Sequence, residues 1–217
     1  MKTLLASLLS VSILFSSCLK EQLEGNGNII TETRTLSNFS GVVNSGSKRL
    51  HVSYGPEYKV ELRGSSNLIP AYRSRITNGD LSLYYDRVNV RYDDIEVYVT
   101  MPEIRRANLS GSGKILINGN FPSQNYFESR ISGSGDIQVN SSFDVDELDV
   151  TISGSGRADL LNIKSRRAEV HISGSGDAKV HVTDHLKAKI SGSGRTYYMG
   201  NPTIESDISG SGKVVRY

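Results

Sequence analysis

The sequence predicts an all-β protein, a single-stranded parallel β-solenoid with about 20 residues per coil, and three observations carry that prediction. The tetrapeptide S-G-S-G recurs with its opening serine at 110, 132, 153, 173, 191 and 209, giving spacings of 22, 21, 20, 18 and 18 residues. Both flanks of each copy alternate apolar with polar: Leu148, Val150 and Ile152 precede one turn, and Ala158 and Leu160 follow it. Period-two alternation marks a half-buried strand, so each copy reads strand, glycine turn, strand. The residue just after each turn is charged in every copy, and the series Lys114, Asp136, Arg157, Asp177, Arg195 alternates in sign before ending at Lys213. Stacked coils would set these side chains beside one another at strand spacing, where opposite charges attract. At roughly 3.3 Å per extended residue such a coil measures about 65 Å around, room for three short strands and three corners.

From the N-terminus, M-K-T-L-L-A-S-L-L-S-V-S-I-L-F-S-S-C has one lysine, an apolar run from Leu4 to Phe15, and two small residues before the only cysteine. This reads as a signal peptide over residues 1–17, too short to span a bilayer. A lone cysteine after S-S resembles a bacterial lipobox, with lipid expected on Cys18 and Phe15 standing where the pattern usually has Leu, Ile or Val. Residues 18–28 are polar and read as the lipidated cysteine and its tether. The membrane is thus an expected partner, and the cell envelope, at the outer membrane, the expected location, with the periplasmic and the surface-exposed side both open.

Residues 29–217 read as one β-solenoid domain, with irregular first coils to about 105 and regular coils over 106–217. V-V-N-S-G-S at 42–47 is a degenerate turn copy. K-R-L-H-V-S-Y alternates, N-L-I-P-A-Y at 67–72 breaks the pattern with a helical turn, and Asn78-Gly79 predicts a tight turn between two strands. I-E-V-Y-V-T-M-P at 95–102 leads into the first full repeat. The twelve glycines of the regular turns are Gly111, Gly113, Gly133, Gly135, Gly154, Gly156, Gly174, Gly176, Gly192, Gly194, Gly210 and Gly212. They are expected to supply positive φ at the corners, with the serine hydroxyls bonding to local backbone.

These segments resemble a known family. F-S-G-V, V-E-L-R-G-S-S-N-L-I-P, N-G-D-L-S-L, I-E-V-Y-V-T-M-P, the serial S-G-S-G turns and the closing G-R-T-Y-Y-M-G-N-P-T-I-E-S-D-I-S-G-S-G-K-V are similar to the putative auto-transporter adhesin, head GIN domain family. The resemblance covers nearly all of residues 29–217. It implies a right-handed single-stranded β-helix carried by envelope lipoproteins of the Bacteroides group, and it supplies no catalytic or ligand residues.

The chain carries 25 Lys plus Arg against 23 Asp plus Glu and has no long basic run, which argues against nucleic acid as a partner. Calcium is weighed on G-S-G-D at 133–136 and 174–177, and a transition metal on His171, His181 and His185; neither has a complete ligand pattern, and no cofactor is expected. The acidic run D-V-D-E-L-D-V, holding Asp144, Asp146, Glu147 and Asp149, is the one place where paired carboxylates could cleave a glycan. A solvated corner explains it equally, and no G-x-S-x-G elbow is present.

Seven of the 11 tyrosines fall between 54 and 98, and within them Tyr84 and Tyr85 are the candidate ligand contacts, since adjacent strand residues face opposite ways. The expected function is a non-catalytic adhesin or binding module for a glycan or a surface protein. Alternatives are a carbohydrate-active β-helix enzyme and a structural envelope component without a ligand. The chain stops at Tyr217, and the basic Arg195, Lys213 and Arg216 near it suggest a monomer, or a weak end-to-end dimer favoured as salt screens their repulsion.

Overall fold

The computed structural model describes residues 22–86 and 88–217. Cys18 and the signal peptide lie outside the described residues. The chain winds into a β-solenoid of stacked parallel coils, as the repeat predicts. One face holds the strands that lead into the corners. In stack order these are Asp80–Tyr85, Gly41–Gly46, Arg106–Gly111, Gln124–Gly133, Phe143–Gly154, residues 167–174, residues 185–192 and Thr203–Gly210, parallel throughout. The second face holds the strands leaving the corners: Glu96–Met101, Arg49–Tyr54, Lys114–Asn118, Asp136–Val139, residues 157–160, residues 177–181, Arg195–Met199 and Lys213–Arg216. A short third side closes the coil, where Phe143 lies beside Ile163, Val145 beside Ser165, and Ser165 beside Val182.

Alternation puts the apolar residues inside. Leu109, Ile131, Ile152, Ile172 and Ile190 stack as one buried column ahead of the corners, and Phe121, Phe143 and Phe127 meet edge to face near the third side with centroids 5.8 Å apart. Such contacts favour aromatic pairs beyond the area they bury.

The first coils depart from chain order. The coil made by residues 80–101 lies on the outer side of the coil made by residues 41–54, and the chain then returns across it to begin residues 106–118 on the inner side. The return is tied by the Arg105 amide, which donates to the Ser40 carbonyl at 2.6 Å. Beyond the coil of residues 80–101 the strands turn antiparallel: Tyr72–Thr77 forms a hairpin with Asp80–Tyr85, and Lys59–Ser65 followed by Ile29–Arg34 extends the second face. Asn78 and Gly79, both at positive φ (52° and 79°), make the hairpin turn. The helical turn is a 3-10 segment, Ile69–Ala71.

Residues 22–28, read from sequence as tether, are bound to the domain instead. Gln22–Glu24 pairs in parallel with Asn89–Arg91, and the amides of Asn26 and Gly27 donate to Asn67 Oδ1 and Ser65 Oγ. A polar segment with few apolar residues can still be ordered when a neighbouring edge accepts its backbone groups.

Candidate functional surfaces

Each corner repeats one hydrogen-bond pattern. The Gly133 carbonyl accepts from the amides of both Ser155 and Gly156, at 2.9 and 3.1 Å, and the Gly135 carbonyl accepts from Arg157 at 3.1 Å. The two glycines of a turn serve different ends. Gly154 has φ of 123°, and a Cβ there would also run into the Gly133 carbonyl. Gly156 is not in the left-handed region; a Cβ on it would sit 2.5 Å from Ile131 Cγ2 and 2.6 Å from the Gly135 oxygen. The same division holds for the other copies: Gly111, Gly133, Gly174, Gly192 and Gly210 take positive φ, whereas Gly113, Gly135, Gly176, Gly194 and Gly212 are required by close approach. The expectation that all twelve supply positive φ is therefore corrected for the second of each pair.

The turn serines differ from expectation as well. Ser153, Ser155, Ser173, Ser175, Ser191 and Ser193 are exposed, and among the described residues none of these hydroxyls makes a hydrogen bond. Backbone stacking already satisfies the corner, so the hydroxyls need only be small. The charged column is in register as foreseen, with Asp136 between Lys114 and Arg157 and Asp177 between Arg157 and Arg195. No ion pair within 4 Å closes in that column among the described residues; it closes two residues further along, where Lys179 Nζ lies 3.1 Å from Asp159 Oδ2.

An open cleft of about 490 Å³ runs along the third side. Gln124, Asn125, Asp144, Asp146, Lys164, Arg166 and Asp184 line it, and four successive coils supply them. Alternation decides which residues reach it: Val145 and Leu148 of the acidic run point inward at 4% and 2% exposure, leaving Asp144, Asp146 and Glu147 outside. The next coils answer with guanidinium groups. Arg166 bridges Asp146 at 3.8 Å and Asp184 at 3.1 Å, and Arg167 meets Glu147 at 2.6 Å. The Thr183 hydroxyl and then Arg166 hold the Asp184 carboxyl below its ordinary range. The Arg166 bridge between two coils was not foreseen, although the spacing of R-R at 166–167 one coil after D-E at 146–147 carried the signal.

The two candidate tyrosines do face opposite ways. Tyr85 lies on the core side, edge to face with Tyr72 at 4.8 Å, and donates to Asp93 Oδ1 at 2.9 Å; burial and Asp93 push its phenol well up. Tyr84 lies on the outer face, half-buried, opposite Arg73. Of the three histidines, His171 contacts Glu169 at 2.9 Å and His185 lies 3.9 Å from Glu205, while His181 pairs in register with Met199. Among the described residues no group of three or more His, Cys, Asp or Glu is placed to hold a metal, and no helix is long and apolar enough to cross a membrane.

These features define a β-solenoid repeat protein that carries an open, ion-paired polar cleft on one side. The chain belongs to the family described as putative auto-transporter adhesin, head GIN domain, whose profile matches residues 38–202. Solved structures share the fold. A putative adhesin from Bacteroides fragilis is 16% identical with a TM-score of 0.72 over 90% of this chain and 100% of its own. A putative lipid binding protein from Parabacteroides distasonis is 22% identical with a TM-score of 0.60 over 91% and 100%. A putative adhesin from Parabacteroides merdae is 20% identical with a TM-score of 0.59 over 90% and 99%. No curated protein matches the chain.

Proposed function

We propose that this is a non-catalytic envelope lipoprotein, held by lipid on Cys18, whose solenoid binds a glycan in the cleft on its third side. The cleft carries the reading. Its carboxylates accept, its lysine and arginine donate, and its amide side chains do both, the complement that adjacent sugar hydroxyls require. The charges alternate in sign, which suits a neutral or weakly charged saccharide better than a polyanion. All of these groups project from stacked strands or the corners between them, so little ordering cost falls on binding. The family's adhesin description agrees with a binding role. The alternative of carbohydrate cleavage finds less support, because Arg166 engages both Asp146 and Asp184, at 3.8 and 3.1 Å, instead of leaving that pair of carboxyls free for acid and base work.

The test is a glycan array probed with the Cys18→Ala protein and with the same protein carrying Arg166→Ala and Asp184→Ala. Binding of a defined set of saccharides that the cleft variant loses supports the reading. Equal binding by both, or none by either, overturns it; release of reducing ends that Asp146→Asn abolishes would establish the enzyme instead. Carbonate-washed membranes retaining Cys18→Ala as fully as the native chain would remove the lipid anchor from the proposal.

A further inference from the structure

We propose that the protein associates head to tail with further copies of itself, the strand Thr203–Gly210 of one copy adding antiparallel to the strand Tyr72–Thr77 of the next. The proposal stands apart from the glycan reading. Among the described residues these two strands are the outermost members of the same face at opposite ends of the stack. Among the described residues Tyr72–Thr77 pairs only with Asp80–Tyr85, and Thr203–Gly210 only with residues 185–192. An unpaired edge is a ready template for another strand. Thr203–Gly210 runs parallel to the other strands of this face and Tyr72–Thr77 antiparallel to them. Two copies joined edge to edge on this face therefore bring these strands together antiparallel, with Ile29–Arg34 reaching one strand further on the second face.

One register matches the charged and the apolar side chains. Setting Asp207 opposite Arg73 places Glu205 opposite Arg75 and Thr203 opposite Thr77 on the outer side. On the core side it sets Ile208 beside Tyr72, Ser206 beside Ser74 and Ile204 beside Ile76. Each outer charge meets its opposite, and apolar meets apolar. The core-side isoleucines need such cover. Ile204 and Ile208 are 40% and 39% exposed, whereas Ile190, one coil earlier in the column of Ile208, is 2% exposed.

The backbone agrees. The Glu128 amide donates to the Arg105 carbonyl of the preceding coil, and Glu128 aligns through Asp149, Glu169 and Lys187 with Glu205. Outer-facing residues thus turn their backbone groups toward the preceding coil, and Ile204, Ser206 and Ile208, which alternate with them, turn theirs out of the stack. At the other end the Tyr72 amide donates to Leu68 and its carbonyl accepts from Arg34, so Tyr72, Ser74 and Ile76 turn theirs away from the hairpin. The facing pairs Ser206–Ser74 and Ile204–Ile76 are then hydrogen-bonded pairs. Tail-to-tail pairing about Ser206 would instead set Glu205 opposite Asp207 twice, and like charges oppose it. A head-to-tail contact joins two different edges, so each added copy still offers a free edge and assembly continues past a dimer.

The experiment is sedimentation velocity on the full chain carrying Cys18→Ala, across protein and salt concentration. The expected result is a mass that grows with concentration without stopping at a dimer, and that falls as salt rises because opposite charges meet across the joint, the reverse of the salt dependence read from Arg195, Lys213 and Arg216. Glu205→Arg with Asp207→Arg should leave only monomer, as should Arg73→Glu with Arg75→Glu, because each sets like charges across the joint. An equimolar mixture of the two variants should assemble again, since every joint between them is complementary. All four positions are exposed, and circular dichroism confirms that each variant is folded. A native chain that is monomeric at low salt, assembly that ends at a dimer, or variants that assemble alone as the native chain does would each overturn the proposal.

Discussion

Lys48 Nζ lies 2.6 Å from Asp93 Oδ2 and 2.8 Å from the Asp93 carbonyl, with Lys48 only 8% exposed. Lys48 stands in its corner where Gly113 stands in the next, because Arg49 pairs with Lys114. Gly113 has no room for a side chain, since a Cβ would sit 2.5 Å from the Lys48 carbonyl. On the other side of the Lys48 corner there is no S-G-S-G turn but the loop around Asp93, and the lysine fills that space with a charge the loop neutralises.

Lys48→Met should therefore destabilise strongly, by about 3 kcal/mol, because it leaves Asp93 buried without its cation. Arg167→Gln breaks a pair exposed at 54% and 53% and should cost less than about 1 kcal/mol. Urea denaturation of the two variants measures the difference. Equal losses would mean that Lys48 does not join the coil of residues 80–101 to the stack.

The same loop sets a dependence on pH. Burial alone would raise the Asp94 carboxyl, but the Ser65 amide at 2.8 Å, the Ser65 hydroxyl at 2.7 Å and Lys48 outweigh it and hold the pKa below 3.8. A folded-state value below the unfolded one means stability that is present in full above the unfolded value and lost as pH falls through the folded one. Ser65→Ala should flatten the loss of stability between about pH 5 and pH 2 while also lowering stability at neutral pH. Denaturation midpoints across that range decide it, and an unchanged acid slope would remove the hydroxyl from the account.

The regular coils were legible in the sequence because their signal is local. Ile152 before the turn, Gly154 and Gly156 within it and Ala158 after it report strand, corner and strand without reference to any other coil. The order of the first coils was not legible, because whether Val42 lies beside Leu81 or only beside Ala107 is a choice between distant partners. Lys48 was the visible clue, as the one corner that ends in a residue too large to stack. The cleft was half legible: the acidic run announced its carboxylates, but the pairing of Asp146 and Asp184 through Arg166 depends on coil register across the third side.

The two glycines of one corner should fail for different reasons. Gly154→Val combines strain at φ of 123° with a collision against the Gly133 carbonyl, which is fixed by two hydrogen bonds. Gly156→Ala has no φ penalty, but its Cβ meets Ile131 Cγ2 at 2.5 Å and the Gly135 carbonyl oxygen at 2.6 Å, so overpacking of about 1–3 kcal/mol is expected. Ser153→Ala, at an exposed hydroxyl, should stay within about 0.5 kcal/mol. The expected order of melting temperatures is Ser153→Ala highest, then Gly156→Ala, then Gly154→Val. A Gly154→Val protein as stable as Ser153→Ala would contradict the corner geometry.

Register and contact make separable contributions to the charged columns, and a pair of double-mutant cycles distinguishes them. Asp159 and Lys179 are neighbours in register and also touch, at 3.1 Å, while Asp136 and Arg157 are neighbours in register without a contact inside 4 Å. The hydrogen bond from Lys179 raises its own pKa, and both side chains remain about a third or more exposed, so solvent takes back much of the gain. Cycles built on Asp159→Asn with Lys179→Met, and on Asp136→Asn with Arg157→Met, should give a coupling of about 0.2–1 kcal/mol for the first and close to zero for the second. Raising the salt concentration should shrink the first coupling and leave the second unchanged. Equal couplings would mean that the alternation from Lys114 to Arg195 stabilises the coils through the field of the column, without any need for its members to meet.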